Sequence, residues 1–326
     1  MSILALRAIR ILFAQCYLMK ARKGSLLAVI FGLFRVTFNE WLEDKAPQLA
    51  AALAYYTVFS LAPLILLLLT IVGVVFRHDP AGAWEKITQQ MSYFLDHSAV
   101  EMVRQIAQQA SQPAKSVWAS VIGIALALFG ASGVFGQLQD ALNTIWGVKA
   151  KPGAGIWAFV RARFLSFAMV AGVCFLLLTS LAIESLLQAV FHDLQTSFPG
   201  GGFVALSAYL IFDFLVVAVL FAMIFRFLPD AKIRWRDVWV GAGLTAAFFL
   251  IGKWALGLYL GSGAAGSAYG AASSLITLLL WVYYSAQILL FGAEFTQVYT
   301  NQFGSPVEPE EYAVRIEHKE IEKRRR

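Results

Sequence analysis

Apolar residues form six long runs along the chain, and shorter polar stretches separate them. The runs cover about residues 48–76, 116–138, 164–190, 203–228, 238–260 and 269–299. A helix needs about 20 mainly apolar residues to cross the ~30 Å hydrocarbon core of a bilayer, and each run is long enough. The pattern therefore predicts an all-α integral membrane protein built as a six-span helical bundle.

Other segments have helical patterns but do not qualify as spans. Residues 26–38 form a short apolar stretch that contains Arg35, which indicates an interfacial or re-entrant helix. Residues 2–23 are typical of a basic amphipathic helix on the inner leaflet. Residues 77–115 predict an amphipathic helical hairpin between the first two spans. The predicted organisation is 1–47 for the interfacial helices, 48–303 for the membrane domain, and 304–326 for a charged cytoplasmic tail, which we expect to be mobile from Ser305 onward.

Composition supports a membrane protein, because 59% of the residues are hydrophobic and only 14% are charged. A net charge of +6 also raises the possibility of a nucleic-acid partner. The basic residues, however, are concentrated in alternate connections. The connections after the second and fourth spans are basic, whereas 191–202 and 261–268 contain no Lys or Arg. The positive-inside rule then predicts cytoplasmic N- and C-termini.

Tryptophan positions predict the same orientation, because these side chains favour the bilayer interfaces. Five lie near predicted inner span ends and one near an outer end: Trp41, Trp146, Trp157, Trp235, Trp239 and, outside, Trp118. Topology thus accounts for the basic residues without a nucleic acid. No spacing of His, Cys or carboxylates indicates a metal site, a cofactor or an enzyme.

Four motifs carry a resemblance to a known family. They are ALAYYTVFSLAP at 52–63, FGASGVFGQLQDALN at 129–143, WRDVWVG at 235–241 and LLWVYYSAQILLFGAEF at 279–295. The chain resembles the YihY/BrkB membrane family, which once carried a ribonuclease label. The resemblance implies a six-span protein of the bacterial inner membrane, with associations to serum resistance and to transport of lipids or solutes. It implies no catalytic residues.

Two charges lie deep within predicted spans, away from the span ends, where each costs about 2.5–3.5 kcal/mol on insertion scales. Asp213 lies about ten residues from the outer end of the fourth span, ~15 Å deep at 1.5 Å per residue. Lys253 lies about eight residues from the outer end of the fifth span, ~12 Å deep by the same rise. The matching depths favour an ion pair between neighbouring spans. Such a pair has two interpretations, a transport-linked site or a contact that fixes helix packing; Lys253 could instead extend outward to solvent.

The last span carries a polar stripe at alternating steps of four and three residues, which is one helical face. Its candidate pathway residues are Thr277, Tyr284, Gln287 and Glu294. Glu294 is expected near the inner end, where a solvated helix terminus is the simpler explanation. At the inner end of the second span, Asp140 and Asn143 could bind a cation or a lipid headgroup, or could simply close the helix end.

Proline and glycine mark possible moving parts. Pro63 interrupts the first span and predicts a kink that could serve as a hinge. Gly261, Gly266 and Gly270 lie in the outer connection between the last two spans, a candidate gate loop. Close helix packing is the alternative meaning of such glycines.

Two functions fit these features. The first is a transporter or flippase of a lipid or small solute, with membrane lipids as partners and anionic headgroups matching the basic inner residues. The second is a membrane scaffold or envelope-assembly factor that binds an envelope protein and transports nothing.

Overall fold

The computed structural model describes residues 26–75, 133–151, 201–261, 273–304 and 307–316, with Glu85, Val100, Glu101 and Arg104 as isolated positions. Helices dominate these ranges. They are α1 (Leu26–Glu43), α2 (Ala46–Val75), α3 (133–145), α4 (Gly201–Phe227), α5 (Trp235–Gly261) and α6 (Ser273–Phe303). Three of them contain stretches long and apolar enough to cross a membrane: Leu206–Phe227, Trp235–Ala255 and Leu278–Phe303. The protein is therefore membrane-embedded and mainly helical.

These helices confirm the fourth, fifth and sixth predicted spans as apolar helices, with ends within a few residues of those expected. Helix α2 covers the predicted first span up to Val75, and it continues without interruption through Pro63. The predicted third span at 164–190, most of the second, the hairpin at 77–115 and the helix at 2–23 lie outside the described residues. The short stretch at 26–38 is part of the longer helix α1.

Helix α6 is the central element of the described part. It packs against α1, α2 and α5, while α4 packs against α5. The core between them consists of apolar side chains from five helices, which range from small ones such as Ala50 of α2 to large ones such as Phe225 of α4. Between α1 and α2 the chain turns sharply at Lys45, whose φ of 56° lies in the left-handed region.

Helices α5 and α6 interlock through two reciprocal glycine–threonine contacts. The Thr296 side chain of α6 lies over Gly241 of α5, and the Thr245 side chain of α5 lies over Gly292 of α6. Each threonine hydroxyl also donates within its own helix, Thr245 to Gly241 O at 2.6 Å and Thr296 to Gly292 O at 2.7 Å. The missing side chains of the glycines let the two backbones approach closely, as small residues do in membrane helix pairs.

One end of the bundle, which we call the basic end, is closed by short strands. Strand β1 (Val148–Ala150) pairs antiparallel with β4 (Ala313–Arg315), and β2 (Ala231–Lys232) pairs antiparallel with β3 (Glu308–Pro309). Residues 307–316, here called the strap, therefore bind both the connection after α3 and the connection between α4 and α5. The expectation of a mobile extension from Ser305 is wrong for the strap; residues 317–326 lie outside the described part.

Candidate functional site

The two charges predicted within spans form an ion pair. Lys253 Nζ of α5 lies 3.4 Å from Asp213 Oδ2 of α4. The two helices run antiparallel side by side, so residues at equal depth from the same end face each other. The pairing expected from their depths is thus observed, and Lys253 does not simply extend outward.

The Asp213–Lys253 contact is loose and incompletely buried. Charge-assisted hydrogen bonds between nitrogen and oxygen usually measure about 2.7–2.9 Å, which is shorter than the 3.4 Å found here. The Lys253 and Asp213 side chains keep 20% and 18% of their surface exposed. A pair that served only to join two helices would gain most from a short, sealed contact.

A third helix brings a polar side chain to the same level. The Tyr284 ring of α6 lies against Gly252 of α5, and its hydroxyl occupies the place that a larger side chain at 252 would need. Gly252 directly precedes Lys253, so Tyr284 approaches α5 one residue from the ion pair. Among the described members of the predicted stripe, Tyr284 is the one that the structure places against Gly252, at the level of Lys253.

Further along α6, the stripe is buried against protein. The carbonyl oxygen Oε1 of Gln287 is buried and has no hydrogen-bond partner among the described residues. Glu294 is 0% exposed, so the expectation that its carboxylate lies at a solvated helix end is wrong. Glu294 lies in the part of α6 against which α1 packs, where Phe34 contacts Phe291 and Phe295, and α6 also packs against α2 and α5.

Other predicted members cannot be placed in this way. The side chain of Thr277 and residues Gly266 and Gly270 lie outside the described part, and Gly261 is the last residue of α5. Within the described ranges, no group of three His, Cys, Asp or Glu side chains could hold a metal ion.

At the basic end, Asn143 belongs to a buried hydrogen-bond network around Asp230. The Asp230 carboxylate accepts from Gln139 Nε2 at 2.9 Å and from Asn143 Nδ2 at 2.8 Å. The Asp230 backbone N–H donates to Asn143 Oδ1 at 2.8 Å, and its carbonyl accepts from the Glu310 N–H at 3.0 Å. Asp230 thus ties α3, the α4–α5 connection and the strap together. Asn143 joins elements here, which agrees with the helix-closing interpretation.

Asp140 is placed differently, with its side chain exposed on α3 two residues beyond the predicted second span. Partial desolvation raises the pKa of the Asp140 carboxyl, the nearby negative charge of Asp230 raises it further, and Lys149 lowers it. Asp140 and Asn143 are at the basic end, whereas Asp213 lies 14 residues before the end of α4, or ~21 Å along the axis. The candidate residues therefore form two separate groups.

Sequence reasoning missed Asp230. It lies in a short connection after Pro229, where an aspartate is an ordinary turn residue. Only the three-dimensional arrangement, which brings two amide side chains from α3 to its carboxylate, shows its importance. A local signal existed in Gln139 and Asn143, which are four residues apart and hence on one face of α3.

With this geometry established, comparison with known proteins assigns the family. A family model described as virulence factor BrkB matches residues 37–316. The chain belongs to the virulence factor BrkB family. The match spans α2 to α6 and the strap, and it confirms the resemblance carried by the four sequence motifs.

Curated relatives of this BrkB-family chain carry membrane-protein names. A UPF0761 membrane protein of Albidiferax ferrireducens is 29% identical over 265 residues, covering 79% of this chain and 60% of the relative. One from Stenotrophomonas maltophilia is 28% identical over 280 residues, covering 82% and 60%. One from Mannheimia succiniciproducens is 26% identical over 271 residues, covering 82% and 88%. The chain thus spans about 60% of the length of the first two relatives. No solved structure matches.

Proposed function

We propose that this BrkB-family protein moves a lipid or small solute across the bacterial inner membrane. The proposed architecture has six spans, cytoplasmic N- and C-termini and the 77–115 hairpin on the outer face. The basic end is then cytoplasmic. The proposal includes no catalytic step and no cofactor.

The Asp213–Lys253 pair carries this proposal. Each charge costs about 2.5–3.5 kcal/mol near mid-membrane, and a polar residue at such depth commonly marks a substrate or ion pathway. A contact of 3.4 Å, with about a fifth of each side chain exposed, leaves both groups able to bind a third partner. Tyr284 adds a hydroxyl beside α5 at the same level. A zwitterionic or polar headgroup could exchange with the ion pair at this position.

Reconstitution into liposomes tests the proposal. Purified protein would be assayed for scrambling of fluorescent phospholipids and for flux of small solutes, with Asp213→Asn and Lys253→Met compared with wild type. We expect each single change to lower the rate at least tenfold, because the remaining group loses its counter-charge across α4 and α5 and the pair can no longer exchange with substrate. Absence of movement of any lipid or solute by the wild type would refute the proposal.

A charge-swapped variant separates a pathway from a packing contact. Asp213→Lys combined with Lys253→Asp restores an ion pair between α4 and α5 while reversing its direction. If the pair only holds helices together, the swap recovers activity and thermal stability alike. If the pair binds substrate, stability recovers and transport does not. Gly243→Ala serves as the matched control on α5, because the nearest side-chain atom, Phe214 Cζ, is 4.0 Å from the new methyl group.

A scaffold or envelope-assembly role is the second candidate. The observation that favours it is the tight interlock of α5 with α6, together with the buried Asp230 network, since both features give a rigid body suited to holding a partner protein. Cross-linking in cells to an envelope protein, with wild-type complementation by both Asp213→Asn and Lys253→Met, would support this role. It would equally count against transport.

A further inference from the structure

Exposed aromatic side chains surround the connection between α4 and α5. Phe227, at the end of α4, is 45% exposed, and Trp235 and Trp239, on the first turns of α5, are 45% and 44% exposed. The Phe227 and Trp235 rings meet edge to face with centroids 5.7 Å apart. Trp235 and Trp239 are four residues apart, so they lie on one face of α5. Soluble surfaces rarely expose such a cluster, but membrane interfaces favour it.

Two arginines alternate with these aromatic residues. Arg234 and Arg236 flank Trp235, and both side chains are exposed. Neither forms an ion pair with a carboxylate in the part of the chain that the structure describes. Asp237, in the same turn, is 5% exposed and lies against Gly304, the residue after α6, so its carboxylate is directed into the protein. Among the described residues, no carboxylate thus offsets the positive charge of these two exposed arginines, which suits them to meet an external anion.

Neighbouring basic residues differ in this respect. Lys232 lies directly opposite Glu308 in the β2–β3 pair, where a carboxylate can offset its charge. Lys151 Nζ donates to the Glu311 carbonyl, which holds its ammonium group against the strap. Arg234 and Arg236 thus differ from Lys232 and Lys151.

We infer that Arg234, Arg236, Trp235 and Trp239 form a binding site for the phosphate of an anionic phospholipid headgroup. The location decides between a lipid and other anions. One apolar span ends at Phe227 and the next begins at Trp235, so the two arginines lie at the level where the bilayer headgroups begin. Guanidinium groups bind phosphate oxygens with two parallel hydrogen bonds, and tryptophan rings contact the glycerol and upper acyl region. The site stands independently of the proposed transport, because a lipid held there need not be moved.

Quenching by brominated lipids tests this site in the full chain. The protein would be reconstituted with increasing fractions of brominated phosphatidylglycerol or brominated phosphatidylcholine. The signal of Trp235 and Trp239 is obtained by difference from a Trp235→Phe/Trp239→Phe variant. We expect these two residues to be quenched at a lower fraction of phosphatidylglycerol than of phosphatidylcholine, with a relative association constant of about fivefold or more.

Two double variants that each remove two positive charges test whether the lipid preference depends on these two arginines in particular. Arg234→Gln/Arg236→Gln should abolish the preference for phosphatidylglycerol, lowering it from about fivefold to near unity. Lys149→Gln/Arg315→Gln removes the same charge from exposed positions of the β1–β4 pair and should leave the preference unchanged. Arg234→Lys/Arg236→Lys should retain part of it, because lysine keeps the charge but not the paired hydrogen bonds. Equal losses in the two glutamine variants, or no preference in the wild type, would overturn the inference.

Discussion

Substitution of the interlocking glycines with alanine is expected to destabilise the α5–α6 pair. In Gly241→Ala the new methyl group collides with the Thr296 hydroxyl, and in Gly292→Ala it collides with the Thr245 hydroxyl. Rotation of the threonine would move the hydroxyl but would break its hydrogen bond to the glycine carbonyl of its own helix. Rotation cannot move the threonine Cβ, which would be 2.8 Å from the methyl group at 241 and 2.9 Å from the one at 292.

The size of the effect follows from these distances. Ordinary van der Waals contact begins at 3.4 Å, so the helices must separate by about 0.6 Å at Gly241 and about 0.5 Å at Gly292. A gap of 0.5–1 Å forfeits about a quarter to a half of the dispersion energy of each contact along the seam. Overpacking of this kind costs about 1–3 kcal/mol in other proteins. We expect a loss of that order for each variant.

Thermal unfolding in detergent measures this loss, followed by scanning fluorimetry and by the monodisperse fraction in size-exclusion chromatography. Gly243→Ala is the matched control on α5, and Gly136→Ala is a second control, because no atom lies within 4 Å of its new methyl group. Both controls should be neutral or slightly stabilising, since alanine favours helix. Adding Thr296→Ala to Gly241→Ala should restore part of the stability. If Gly241→Ala and Gly292→Ala unfold at the same temperature as Gly243→Ala, the interlock is not a determinant of stability.

Three further results are expected at the basic end. Asn143→Ala should lower the free energy of unfolding by about 1.5–3 kcal/mol, because the Asp230 carboxylate loses a hydrogen bond and the Asp230 N–H loses its acceptor. Thr144→Ala, which removes an exposed hydroxyl, is the control. Equal melting temperatures of the two variants would contradict a stabilising role of the network. Asp140→Asn should raise the melting temperature at pH 7 but not below about pH 4. The folded state raises the pKa of the Asp140 carboxyl above 3.8, so this carboxyl contributes to the stability of the fold at low pH, and the contribution is lost as pH rises through the folded pKa. A lower melting temperature of Asp140→Asn than of the wild type at pH 7 would refute this reasoning. Lys149→Met should destabilise the protein at pH 7, because the Lys149 ammonium group stabilises the Asp140 carboxylate and so lowers its pKa. The same change should have no such effect when Asp140→Asn is also present. Melting curves of the single and double variants would show whether the two effects are coupled.

Much of the membrane architecture could be predicted because hydrophobicity and depth are local properties of the chain. Apolar runs located α4, α5 and α6, and residue counts from the span ends predicted that Asp213 would meet Lys253. Periodicity also placed Tyr284 and Gln287 on one face. These inferences need only the helical rise and the bilayer thickness.

The errors came from tertiary contacts that no local pattern encodes. Glu294 is buried within α6, which packs against α1, α2 and α5, and a sequence does not show which helix covers which neighbour. The strap was expected to be mobile because strands of two or three residues have no detectable alternation. Asp230 was overlooked for a similar reason, since its partners on α3 are 91 and 87 residues away in the chain.

The strap also has a consequence for the order of synthesis. Residues 307–316 leave the ribosome after all six described helices, yet they supply the pairing partners of β1 and β2. Until then, the Asp230 carbonyl and the backbone groups of both connections lack their strap partners, so the nascent bundle remains open at the basic end. The strap can therefore close only after residues 307–316 have been made, and a chain interrupted before residue 307 would expose unpaired strand edges to proteolytic surveillance.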